Sequence, residues 1–189
     1  MKILKSDFVK MVVALTVVGV LSGAVLILVY NYATPKIKVN VSKETDAAIK
    51  NIFPGTIDIK KTKYEGVYQI TGAEGGKGGG YAFTAEGNGY QGVIKMIVGV
   101  DTGLTTLQGM EVLESQETPG LGAEIAVSPF KDQFKGLSIK HPIEYVKNQK
   151  PTEPYQIEAI TGATISSRAV VNILNKKIVE LKKELKGGK

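Results

Sequence analysis

From Met11 to Tyr30 the chain reads MVVALTVVGVLSGAVLILVY, and no charged residue falls between Lys10 and Lys36. A run that is apolar on every side lacks the polar face of a surface helix and the alternation of a half-buried strand. As a helix, about twenty residues rise about 30 Å, the thickness of a hydrocarbon core. Thr16 and Ser22 are the weakly polar members, and such hydroxyls can bond back into their own helix. Tyr30 and Tyr32 fall where an aromatic belt would lie. The run therefore predicts a single transmembrane helix. A cleaved signal peptide is the competing reading, with Ser22 and Ala24 as small residues for cleavage. Against it, the apolar run continues through residues 25–30, beyond the roughly 7–15 residues usual in a signal peptide. Gly19 and Gly23 form a G-x-x-x-G pair, which would let a second helix approach closely. Glycine is also simply common in membrane helices.

Beyond Lys36 the pattern changes. Residues 37–189 are numerous enough for a core that buries about two-thirds of its surface. Ser42 is a candidate N-cap for a short helix ending near Phe53, where Pro54-Gly55 would stop it. Alternating or β-branched runs predict strands at 57–63, 66–71, 81–85, 89–100 and 107–113. Asn88-Gly89 is a hairpin dipeptide, and short turns between successive strands favour antiparallel pairing. From Ser167 onward Val170, Leu174, Ile178, Leu181 and Leu185 recur every three or four positions among Lys and Glu. That spacing predicts an amphipathic helix with its basic end at the C-terminus, where the helix dipole favours cations. Strands followed by a terminal helix make the class α+β, a mainly antiparallel sheet flanked by helices. The expected organisation is an N-tail and anchor at 1–36 and a folded domain at 37–189.

Composition narrows the chemistry. The chain has no Cys and no Trp, and His141 is its one His. Thiolate metal sites, cysteine-ligated iron–sulfur clusters, Cys nucleophiles and His-rich metal or haem sites are excluded together. His141, beside Pro142, reads as a surface loop residue rather than a ligand. The net charge of +6 invites a nucleic-acid partner, but its placement argues against one. Lys2, Lys5, Lys10 and Lys36 stand near one end, and six Lys follow residue 174. The folded middle is close to neutral, whereas a groove binder carries its basic face on the folded body. The cluster GAEGGKGGG at 72–80 is not a phosphate loop. Lys77 precedes Gly rather than Ser or Thr, and no dinucleotide fingerprint opens a helix. It reads as a hairpin loop.

Two segments remain as candidate chemistry. In ETPGLG, Glu117 to Gly122, Pro119 fixes one φ while Gly120 and Gly122 free two others. Leu121 between the glycines either plugs the core or lies exposed for a ligand. The second segment is TGAT, Thr161 to Thr164, followed by Ile165, Ser166 and Ser167 before the terminal helix. Thr161, Thr164, Ser166 and Ser167 are all candidate N-caps. A helix start also presents free N–H groups and a positive dipole end to an anion such as phosphate. Gly162 and Ala163 would leave room for it.

ETPGLG followed some forty residues later by a carboxylate, Glu158, and then T-G-A-T resembles the FMN-binding domain found in the G component of Rnf electron-transport complexes. It is also similar to the C component of the Na⁺-translocating NADH:quinone oxidoreductase. The resemblance covers nearly the whole chain, and Glu158 stands where the family pattern usually has Asp. It implies FMN held covalently, through a phosphoester, on the last Thr of the motif, here Thr164. It implies a flavin transferase that uses FAD as donor, and an electron-transfer subunit that is not catalytic alone within an ion-translocating ferredoxin:NAD oxidoreductase. In that picture the N–H groups of Ile165, Ser166 and Ser167 meet phosphate oxygens. Thr118, Gly120 and Leu121 line the ring, and Glu117 and Glu158 orient the two loops, with Thr161, Gly162, Ala163 and Gly122 completing the site. The partners implied are the other membrane subunits of the complex, with no nucleic acid. The location implied is the cell membrane, N-terminus in the cytoplasm and flavin domain outside, as a short basic head before an apolar run also suggests. The rival from another class is a membrane-anchored assembly module without redox activity, in which TGAT is only a helix cap.

Overall fold

A computed structural model describes residues 2–72 and 79–186. The chain divides into two units, 1–43 and 44–189. Helix α1 (Lys2–Ile52) carries the apolar run in the part of it that belongs to the first unit. It is the one candidate membrane span among the described residues. Its large apolar side chains, such as Leu15, Leu26 and Leu28, are exposed all round. The Thr16 hydroxyl donates to the Val12 carbonyl at 2.9 Å, satisfying itself within the helix.

α1 does not stop and restart near Ser42 as the sequence pattern suggested; it runs through Pro35 to Ile52. Between Gly23 and Gly55 there is no glycine, and Pro35 is the sole proline before Pro54. One lost backbone bond at a proline can be carried by a helix bonded on both sides of it. The stop at Pro54-Gly55 is as expected, with Gly55 at φ 85°.

In the second unit, β1 (Thr56–Lys61), β2 (Val67–Gly72), β3 (Gly80–Asn88), β4 (Val93–Asp101) and β5 (Leu107–Ser115) form one antiparallel sheet in chain order. The glycine cluster's middle, 73–78, with the hairpin loop expected there, lies outside the described residues. Asn88 pairs with Val93, so the β3–β4 hairpin has a four-residue loop, 89–92, closed by Gly89 N–H donating to the Gly92 carbonyl at 2.7 Å. Two three-residue strands were not expected from the sequence. β6 (Glu144–Val146) and β7 (Gln156–Glu158) pair in parallel, and segments so short carry no readable alternation. The terminal helix α2 (Thr164–Lys186) begins three residues earlier than its apolar spacing indicated.

β4 explains the layering. Ile94, Met96, Val98 and Val100 point to one face and Ile97 to the other, and all are fully buried. The first face packs on Phe134, Ile157 and the Val170, Leu174 and Leu181 stripe of α2. The second packs on Ala48, Ile49, Ile52 and Phe53, the end of α1 that belongs to this unit. Gly99 makes the second contact close. A Cβ there would lie 2.5 Å from Ile52 Cγ2 and 2.6 Å from Phe53 Cε2. Gly99→Ala should therefore lower stability by about 1–3 kcal/mol, the usual cost of overpacking. Urea unfolding of the detergent-solubilised chain measures it, and an unchanged midpoint would contradict the packing.

Candidate functional site

The segment after β5 is a closed turn. The Thr118 carbonyl accepts the N–H groups of Leu121 at 3.2 Å and Ala123 at 3.0 Å. Gly120 sits at φ 73°, which a side chain would strain. A 3₁₀ turn, Gly122–Ala126, follows and packs on α2. Before the turn stands Glu117, only 5% exposed. A carboxylate so placed must be bonded on its lone pairs, and it is. Oε1 accepts the N–H groups of Tyr90 at 2.6 Å and Gln91 at 3.1 Å, and Oε2 accepts the Ser166 hydroxyl at 2.5 Å. Burial pushes the Glu117 carboxyl up, but the Ser166 hydroxyl and the N–H groups of the 89–92 loop outweigh it. The net direction is below the usual carboxylate range. The stabilisation this represents is present above that range and is lost as pH falls through the depressed value. Gly89 and Gly122 are obligatory neighbours, because a Cβ on either would collide with a Glu117 carboxylate oxygen.

The TGAT segment connects β7 to α2. Glu158 is fixed through its backbone: its N–H donates to Gln133 Oε1 at 2.6 Å, and its carbonyl accepts Gln133 Nε2 at 3.1 Å. Gly162 takes φ 83°. The Ala163 N–H donates to the Ile160 carbonyl at 3.0 Å, and α2 starts at Thr164. Ser167 pins the turn from below. Its hydroxyl accepts the Ile160 N–H at 3.0 Å and donates to the Ala163 carbonyl at 3.1 Å. Its N–H also donates to that carbonyl, at 3.0 Å.

This shifts the expected anion donors by one residue. The Ser167 N–H, assigned to a phosphate oxygen from the sequence, is consumed by the helix. Among the described residues, the groups without a carbonyl partner are the N–H groups of Thr164, Ile165 and Ser166. The cause is the earlier helix start: the first turn leaves its own N–H groups orphaned, and here that turn begins at Thr164.

The two motifs meet. Leu121 Cδ2 lies 3.4 Å from where a Gly162 Cβ would stand. Leu121 is 48% exposed, so it is not a core plug; Ile165, one residue past Thr164, is also 48% exposed. Thr118 and Thr164 are half-buried, while Gly120, Thr161 and Gly162 are exposed. The Thr161 hydroxyl donates to Asn148 Oδ1 at 3.3 Å. Tyr90, Gln91, Gln133 and Asn148 were not anticipated. The one sequence signal for the first two was the Asn88-Gly89 turn, which did not show where the loop would fold. His141 is exposed, its ring 5.3 Å from that of Tyr155.

Solved structures have a related fold over somewhat more than half of the chain. The NqrC protein of Shewanella oneidensis has the fold, with a TM-score of 0.53 at 22% identity over 64% of each chain. The corresponding C component of the Na⁺-translocating NADH-quinone reductase from Parabacteroides distasonis superimposes with a TM-score of 0.52 at 28% identity, over 58% of this chain and 57% of that one. The FMN-binding domain family matches residues 89–179. The G component of the proton-translocating ferredoxin:NAD⁺ oxidoreductase complex of Clostridium ljungdahlii is 30% identical over 93% of this chain and 91% of its own length. Its counterpart in the ion-translocating oxidoreductase complex of Methanosarcina acetivorans is 29% identical over 89% and 92%. The chain belongs to the FMN-binding domain family, alongside these G components.

Half-exposed Leu121 gives a direct check on the site. A buried leucine truncated to Ala loses about 2–5 kcal/mol. Leu121→Ala in flavin-free protein should cost less than about 1 kcal/mol, read as the shift of a thermal unfolding curve. A loss in the core range would return Leu121 to the interior.

Proposed function

We propose that this chain is the flavin-carrying electron-transfer subunit of a membrane-bound, ion-translocating ferredoxin:NAD oxidoreductase complex, with FMN esterified to Thr164. The observation that carries the site assignment is the convergence at α2's start. Among the described residues, three N–H groups without a carbonyl partner, a glycine at φ 83° and a half-exposed leucine beside that glycine flank one half-buried threonine. The residues suit the group. Thr164, Ile165 and Ser166 offer N–H donors at the positive end of a helix dipole to a phosphodiester's remaining charge. Leu121 and Ile165 offer apolar contact to a flat ring. Bound FMN supplies one-electron carriage, for which the side chains alone provide no redox group. The relatives' names and the family match favour this reading over a non-redox assembly module.

Covalent attachment also keeps the cofactor from escaping if the body faces the outer side. We place it there, with the N-terminus in the cytoplasm. Lys2, Lys5 and Lys10 flank the apolar run on one side, and a long folded domain on the other side translocates largely regardless of its own charge. A flavin transferase working from FAD is the maturation partner, and the other membrane subunits are the working partners.

Thr164→Ala should abolish the flavin fluorescence of the denatured band, whereas Thr164→Ser should retain at least part of it. A fluorescent Thr164→Ala band, with flavin mapped to Thr161, Ser166 or Ser167, would contradict the assignment. For topology, protease added to intact cells, with any outer membrane opened, should digest residues 44–189. Cleavage only after lysis of the inner membrane would invert the orientation.

A further inference from the structure

The attachment segment holds four hydroxyls, on Thr161, Thr164, Ser166 and Ser167, and they stand in different surroundings. The Ser167 hydroxyl is fully buried and bonded as both donor and acceptor. Ser166 is 3% exposed, and its hydroxyl donates a hydrogen bond to Glu117 Oε2. The Thr161 hydroxyl is exposed but donates to Asn148, outside the helix. Among the described residues, nothing bonds the Thr164 hydroxyl. Residues two apart on a helix point about 200° away from each other. Turning Ser166 inward onto Glu117 therefore turns Thr164 outward.

We infer that Glu117 is a positioning residue that selects Thr164 for flavin attachment, by drawing Ser166 inward and tying the first turn of α2 to the 89–92 loop and to the ETPGLG turn. The inference rests on the reading of Thr164 as the attachment site. The chemistry makes such selection necessary. An ester bond forms between a hydroxyl oxygen and the FMN phosphorus of an FAD donor. The donor's pyrophosphate bond breaks, AMP leaves, and the hydroxyl proton passes to a base of the transferase. A hydroxyl bonded to a carboxylate is already arranged for proton removal, so proton chemistry alone would favour Ser166. Its burial prevents that, and Glu117 holds it there. The same carboxylate fixes the orientation of the N–H groups on Thr164, Ile165 and Ser166, because Ser166 is itself in that turn.

The test uses the full chain with its flavin transferase and FAD, and the same chain made without the transferase. Glu117→Ala and Ser166→Ala should each slow labelling of Thr164 at least tenfold. In unlabelled protein each should quicken amide hydrogen exchange at 164–166 at least tenfold. If the two residues act as a pair, the double variant should be no more than about twofold worse than either single one. Part of the residual flavin in Glu117→Ala should map to Ser166. Leu174→Ala, a core change that lowers stability without touching the site, should label Thr164 at close to the normal rate, which separates positioning from general loosening. Normal Thr164 labelling in Glu117→Ala, with unchanged exchange at 164–166, would overturn the inference. So would a Leu174→Ala chain that labels as slowly as Glu117→Ala. If the unmodified sequence carries no flavin on Thr164, the attachment reading fails, and the exchange measurement still decides the positioning role: faster in both variants supports it, unchanged overturns it.

Discussion

Strand β4 has to be covered twice. Its residues Ile94, Met96, Val98 and Val100 on one side and Ile97 on the other are all inaccessible to water. The hydrophobic effect gives each face a reason to recruit a layer. The end of α1 covers one face with Ile49, Ile52 and Phe53, the last two seated over Gly99. The apolar stripe of α2 covers the other. Because α2 must lie along the sheet to do this, its first turn arrives beside the exit of β5, where ETPGLG begins. The site is thus a by-product of how the second face is closed.

What turns that proximity into a defined geometry is one buried carboxylate. Glu117 accepts from a hairpin loop, through Tyr90 and Gln91, and from a helix, through Ser166. Such charge-assisted bonds are shorter and stronger than neutral ones. Leaving a buried carboxylate unmatched is costly, so the loop and the helix are both held to the segment that carries Glu117. The glycines at 89 and 122 stand where any side chain would strike the carboxylate or its partner. Among the described residues, the same arrangement leaves N–H groups without a carbonyl partner at a helix start and apolar surface at Leu121 and Ile165, which suit the phosphate and flat ring of the proposed flavin.

Much of this was legible in the residues. The apolar run, the five sheet strands and the amphipathic stripe of α2 are periodic signals over many positions, and they came through with shifted ends. The two motifs were visible as glycine-rich interruptions next to hydroxyls. Other features were not legible. Ser42 looks like a cap, yet nothing before it broke the helix strongly enough to need a new start. The α2 start was misplaced because Thr164, Ile165 and Ser166 precede the apolar spacing that marks the helix, and that moved the free donors from Ser167 to Thr164. The bonds of Glu117 to Tyr90 and Gln91 join positions some twenty-six residues apart, and no local pattern encodes them. They follow from the hairpin's register, which only the folded sheet fixes.

We propose that this domain carries its flavin by a covalent bond. The most direct measurement is the intact mass of the full chain, purified and denatured after production with its flavin transferase. Esterification at Thr164 predicts a mass greater than that of the bare polypeptide by one FMN less one water, with one flavin per chain. A mass equal to the bare polypeptide, with flavin released on denaturation or absent, would contradict it.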